Sequence, residues 1–126
     1  MVPDPHSTGV QGEETAARFL LDRGYAILER NYRGDRSEID IIARAGDTIV
    51  FCEVKTARSR RFGPAVSWVT PRKVRRIARA AGDYLATHDV AGCSFRFDVI
   101  GLEVDRDGAV TVNHIPDAFS APPEES

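Results

Sequence analysis

Apolar positions recur along this chain with two different periods. Ala16, Ala17 and Leu20 repeat at helical spacing, with Glu13 on the same stripe, and predict a helix from about Val10–Gly12 to Arg23. Gly24 follows, where helices commonly turn into a left-handed cap. Tyr25–Tyr32, Glu38–Ala43 and Thr48–Thr56 read as strands, parted by a polar turn around Gly34-Asp35 and a tight connection at Ala45-Gly46. Thr70-Pro71 supplies a cap and a first helical residue for a second helix to about Thr87. Its spacing turns Val74, Ile77, Ala78, Ala81 and Leu85 inward and Arg72, Arg75, Arg76 and Arg79 outward. Ser94–Glu103 and Val110–Ile115 predict two more strands, on either side of a turn at Asp105–Gly108. The order α-β-β-β-α-β-β is most simply met by one α/β domain, a mixed central sheet flanked by helices. That domain should span residues 10–119, between a flexible start (1–9) and a Pro- and Glu-rich tail (120–126).

A chain of 126 residues has room for one domain, and an apolar fraction of 42% is enough for one core, which excludes disordered and fibrous classes. Met1–Thr8 holds no apolar run and so does not read as a signal peptide. The longest apolar stretches, such as Ile49–Cys52, are strand-sized and far from a membrane span, so a cytoplasmic protein is expected. Cys52 and Cys93 have no partner at ligand spacing, which speaks for buried thiols and against zinc.

The net charge of −2 argues against a polyanionic partner until its distribution is considered. Between Val54 and Gly82 lie Lys55, Arg58, Arg60, Arg61, Arg72, Lys73, Arg75, Arg76 and Arg79, and no Asp or Glu. More than half of the 17 Lys and Arg residues therefore sit in under a quarter of the chain. Such segregation points to a nucleic acid at one face.

Alternation places Glu53 and Lys55 on one face of the third strand, and Glu38 and Asp40 on one face of the second. A two-residue hairpin at Ala45-Gly46 sets Asp40 opposite Phe51 and Glu38 opposite Glu53, so all four polar side chains project together and Asp40 is a diagonal neighbour of Glu53. Acids gathered on an apolar sheet repel one another, and a divalent cation relieves that repulsion. Hard oxygen donors with open water positions suit Mg²⁺ or Mn²⁺. Such an ion could bind a scissile phosphate, with Lys55 beside the attacking water. The same residues also permit a plain cross-strand salt bridge from Lys55 to Glu38 or Glu53.

Glu38-Ile-Asp-Ile-Ile-Ala43 and Val50-Phe-Cys-Glu-Val-Lys-Thr56 resemble the YraN-like family of small bacterial proteins. So do Gly12-Glu13, Gly24-Tyr25, Arg30-Asn31-Tyr32-Arg33, Phe62-Gly63, Arg96-Phe97-Asp98-Val99 and His114-Ile115 through Ala118-Phe119, so the likeness covers nearly the whole chain. The resemblance implies a restriction-endonuclease-like fold of the PD-(D/E)XK type, related to Holliday-junction resolvases. By that likeness Asp40 and Glu53 match acidic metal ligands and Lys55 the motif lysine. Glu13 matches a first-helix glutamate that completes such sites, although a helix-start glutamate also suits the helix dipole. Ser37 stands where the family usually has Gly, and Val74 where many members have Gln.

The expected function is a metal-dependent endonuclease acting on DNA, with structured or branched DNA as the implied substrate. The alternatives are a nucleic-acid-binding module on a nuclease scaffold and a structural domain whose acids merely pair with bases. Catalysis is assigned to Asp40, Glu53, Lys55 and Glu13, metal binding to Asp40, Glu53, Glu13 and Glu38. Phosphate contacts are assigned to Arg58, Arg60, Arg61, Arg72, Lys73, Arg75, Arg76 and Arg79. Tyr32, Phe62 and Trp68 are candidates for base stacking, and His114 reads as a structural hydrogen-bonding group. A homodimer would suit cutting of both duplex strands, but no interface pattern demands one.

Overall fold

A computed structural model describes residues 5–58 and 69–121, with side chains from Gln11 onward. The loop 59–68, with Arg60, Arg61, Phe62 and Trp68, lies outside the described residues, as do the ends 1–4 and 122–126. The elements are α1 (Pro5–Asp22), β1 (Ala26–Arg33), β2 (Glu38–Ala45), β3 (Thr48–Arg58), α2 (Pro71–Thr87), β4 (Ser94–Val104) and β5 (Val110–Phe119). Helix α1 begins ahead of the start that the apolar stripe marks, because the stripe records where the helix meets the sheet and not where its backbone first coils. Strand β5 likewise runs on past Ile115, with Asp117 in a left-handed conformation at φ +51°.

The sheet order is β1-β2-β3-β4-β5, antiparallel throughout except for the central β3–β4 pair. A parallel pair needs a crossover, and α2 lies in that connection. Alternation along β3 divides the core. Val50 and Cys52 pack with Ala16, Ala17 and Leu20 of α1 on one face. Ile49 and Phe51 pack with Ile77, Ala80, Ala81 and Tyr84 of α2 on the other. The result is three layers, helix on sheet on helix. Among the described residues no helix is long and apolar enough to cross a membrane.

Three local features position the site. At Gly12 the first helix lies so close to β3 that an added Cβ would stand 2.5 Å from Oγ1 of Thr56. At the β2–β3 turn the two central residues are Gly46 and Asp47, and Ala45 pairs with Thr48. Gly46 takes φ +60°, which the Cβ of Ala45 would resist, and this moves the turn one residue from its expected place. At Asn31 (φ +54°) strand β1 switches faces: Arg30 bonds Glu14 of α1, whereas Tyr32 packs edge-on against Tyr84 of α2. Strand β2 follows the switch, with Ile41 in the α1 core and Ile39 in the α2 core.

Candidate active site

The acids sit where β2 and β3 leave their ladder. Backbone pairing runs from Ala45↔Thr48 to Ile41↔Cys52. One step further in this register Asp40 comes opposite Glu53, a direct and not a diagonal neighbour. At that point the Asp40 side chain takes over from the strand: its Oδ2 accepts the Val54 backbone N–H at 2.8 Å. Glu53 is buried at 4% exposure on the α2 face of β3. Helix α2 answers it from its first turn. Thr70 caps the helix by accepting the Lys73 N–H at 3.2 Å, and the Lys73 Nζ reaches Oε1 of Glu53 at 2.5 Å. Lys55, two residues along β3 from Glu53, shares a hydrogen bond with Lys73.

Electrostatics follow from this crowding. Burial pushes the Glu53 carboxyl up to about 7; the Asp40 charge adds to the rise, and Lys73 and then Lys55 oppose it without cancelling it. Asp40 is raised as well, chiefly by burial, against hydrogen bonds from the Val54 N–H and from Glu53. The Lys55 amine is lowered, first by its hydrogen bond with Lys73 and then by burial. For Lys73 burial works against the charge, yet hydrogen bonds to Glu53 and Lys55 prevail and its pKa is raised.

The other expected ligands stand at the periphery. Glu13 hydrogen-bonds Asn31, and its carboxyl is raised by burial first and then by the charge of Asp40. Glu38 is exposed at the rim, 3.7 Å from Nε of Arg33. Among the described residues no three His, Cys, Asp or Glu side chains converge as a metal cluster. Asp40 and Glu53 close as a pair. As donors they fit a hard divalent ion: both are carboxylates, they repel one another, and they open to a cleft with space for water.

That cleft, about 450 Å³, is lined by Arg33, Gly34, Asp35, Arg36, Ser37, Glu38, Asp40, Glu53, Lys73, Arg76 and Ile77. Its walls are the β1–β2 turn and α2. Asp83 of α2 holds the turn by accepting the Asp35 N–H at 2.9 Å, and Gly34 fits beneath because a Cβ there would stand 3.1 Å from Cα of Ala80. Of the basic residues expected to touch phosphate, Lys73 and Arg76 line the cleft. Arg72, Arg75 and Arg79 are exposed on α2 outside it, and Arg58 is exposed at the end of β3. Arg33 and Arg36 were not expected; their signal was two arginines flanking the turn that leads into Glu38-Ile39-Asp40. Tyr32 is engaged with Tyr84 and His88 and offers no free platform.

Across the sheet, on the α1 side, Asp98 is fully buried. It accepts from Nε2 of His114 at 2.7 Å, from Nε of Arg96 at 3.0 Å and from the Asp117 N–H at 3.0 Å. Nη2 of Arg96 reaches the Tyr25 hydroxyl at 2.7 Å. Hydrogen bonding by His114 is therefore structural, as its sequence context indicates.

Fold and site together define a small α/β domain with two neighbouring carboxylates and a lysine in a cleft whose lining carries four basic and four acidic side chains. The chain belongs to the family described as Uncharacterised protein family UPF0102, which it matches over residues 12–102, a span that holds Glu13, Asp40, Glu53, Lys55 and Lys73. A UPF0102 protein of Chlorobium phaeobacteroides is 44% identical over 126 residues, covering 96% of this chain and 99% of the relative. One from Geotalea uraniireducens is 49% identical over 117 residues (92% and 91%) and one from Frankia alni 46% over 108 (86% and 90%).

Proposed function

We propose that this protein is a divalent-metal-dependent phosphodiesterase of the endonuclease type, acting on DNA and preferring structured or branched DNA. The observation that carries the reading is Asp40, held by the Val54 N–H, beside a buried Glu53 that Lys73 pairs with, in a cleft rimmed by Arg33, Arg36 and Arg76. Asp40 and Glu53 would hold the ion, with Glu13 approaching from α1. A bound Mg²⁺ or Mn²⁺ supplies charge neutralisation at the phosphate and a more acidic water. Lys55 is suited to orient that water or to stabilise the charge that develops on the phosphate. The water oxygen bonds to phosphorus as the bond from phosphorus to the leaving sugar oxygen breaks. Arg33, Arg36, Lys73 and Arg76 would hold flanking phosphates, which positions a backbone without reading sequence.

A second reading, a nucleic-acid-binding module without turnover, draws support from the Lys73–Glu53 ion pair, which neutralises the buried acid with no metal at all. Cleavage of labelled duplex, single-stranded and four-way-junction DNA with Mg²⁺ or Mn²⁺ separates the two. Cutting that disappears in Asp40→Asn and Glu53→Gln supports the enzyme. Salt-sensitive binding without cutting supports the module, and activity that survives both substitutions would come from a contaminant.

A further inference from the structure

Lys73 stands in an ambiguous place. Its ammonium is 2.5 Å from a carboxylate that is 4% exposed, while its own side chain is 36% exposed and lines the cleft. It comes from the first turn of α2, not from the strands that carry the acids. Its flexible four-carbon stem can therefore swing towards the cleft while the backbone of the site stays in place.

We propose that Lys73 is a placeholder cation, which holds the Asp40–Glu53 pair until a divalent ion takes that position and which then moves onto a phosphate oxygen of the nucleic acid. This rests on the metal-dependent reading above. The argument is one of exclusion. An ammonium in contact with Oε1 of Glu53 and a divalent ion on the same carboxylate would lie within a few ångströms of one another, in a buried site where like charges are poorly screened. Each therefore weakens the other. A phosphate in the cleft attracts Lys73 away from Glu53, so nucleic acid should strengthen metal binding, and metal should strengthen nucleic-acid binding by the same factor.

The experiment is Mn²⁺ titration by calorimetry at about pH 8, on the wild-type chain and Lys73→Met, with and without saturating phosphorothioate-substituted duplex DNA. Without DNA, Lys73→Met should bind Mn²⁺ about tenfold more tightly, the factor that corresponds to losing one competing charged hydrogen bond. With DNA, the wild type should gain affinity and the variant should not. Equal, measurable affinities in the two proteins overturn the placeholder and leave the metal site standing. No Mn²⁺ binding by either protein overturns the metal-dependent reading itself, and the placeholder with it.

A metal-free readout stands beside this one. In EDTA, Lys73→Met should lower the melting temperature when residue 53 is Glu and leave it unchanged alongside Glu53→Gln; equal losses in both backgrounds overturn the proposal. Should Lys73→Met fail to fold in EDTA, recovery with Mn²⁺ or with Glu53→Gln supports a missing charge. Recovery with neither overturns it.

Discussion

Asn31 stands across the β1–β2 ladder from Asp40, between the pairs Arg30↔Ile41 and Tyr32↔Ile39, at the point where both strands exchange faces. Its backbone is left-handed at φ +54° and its side chain hydrogen-bonds Glu13. Asn31 thus stands across from the strand acid, where the faces exchange, and bonds the helix acid. An ordinary side chain in this conformation costs roughly 1–2 kcal/mol. Asn31→Ala should lose about that much stability in urea unfolding, and Asn31→Gly clearly less. In both, the Glu13 carboxyl should titrate higher than in the wild type, since the bond from Asn31 holds it down. Equal stability of the two variants would remove backbone strain from the account.

Glu53 gives the fold a pH dependence of known sign. The folded chain keeps its proton to about pH 7, the unfolded chain only to 4.5, so between these values the folded state binds more protons. Stability should be fullest below 4.5, fall as pH rises to about 7, and level off above. Asp40, raised for the same reason, adds to the decline. Melting in EDTA should show the fall, and Glu53→Gln should flatten it by up to about 1.4 kcal/mol per pH unit. A wild-type profile as flat as that of the glutamine variant would contradict the burial argument.

Asp98 has the opposite sign. Burial alone would raise its carboxyl, but hydrogen bonds from His114, Arg96 and the Asp117 N–H prevail and hold it low. Its contribution is present above the unfolded value of 3.8 and disappears as pH falls through the lower folded value. Asp98→Ala leaves Arg96 and His114 without their acceptor and should cost about 3–5 kcal/mol in chemical denaturation. A loss below about 1 kcal/mol would show that the network does not hold β4 to β5.

Gly12 controls how close α1 comes to the site. In Gly12→Ala the new Cβ meets Oγ1 of Thr56 at 2.5 Å and Cδ1 of Leu102 at 3.3 Å, so the helix must shift. The expected loss is about 1–3 kcal/mol. Adding Thr56→Ala should recover part of it, because that removes the nearer atom and leaves Leu102. No recovery in the double variant would mean that another contact sets the spacing.

Much of the fold was legible because each element carries its own period, and the placing of Asp40 beside Glu53 survived an error in register. Placing the turn at Ala45-Gly46 instead of Gly46-Asp47 moves every cross-strand partner by two residues, and the exchange of faces in β2 between Ile39 and Ile41 is a second departure from plain alternation. Asp40 meets Glu53 and not Phe51. Less legible were relationships that span the chain. The grip of Asp83 on Asp35 joins residues 48 positions apart, and nothing local to either announces it. The reach of Lys73 to Glu53 depends on where α2 lands on the sheet, so Lys73 read as a phosphate contact and not as the partner of Glu53. Asn31 did carry a signal, since Asn tolerates left-handed backbone, but inside an apparent strand that tolerance has no visible use.

The cleft separates cations that chain order groups together. Arg33 and Arg36 are distant in sequence from the basic helix, yet they line the same cleft as Lys73 and Arg76, while Arg75 and Arg79 lie outside it. If phosphates enter that cleft, Arg33→Ala and Arg36→Ala should each weaken DNA binding. Each should also reduce the slope of log affinity against log salt by about 0.9, as loss of one phosphate contact requires. Arg75→Ala and Arg79→Ala should leave the slope near its wild-type value despite removing the same charge. Arg33 calls for one control, because its Nε also lies 3.7 Å from Glu38. Glu38→Gln should leave Arg33 free for phosphate and tighten binding slightly. Fluorescence anisotropy across a salt series measures the wild type and all five variants. Equal slope changes at Arg36 and Arg79 would mean that the nucleic acid follows the outer face of α2, and the cleft would lose its claim to the backbone.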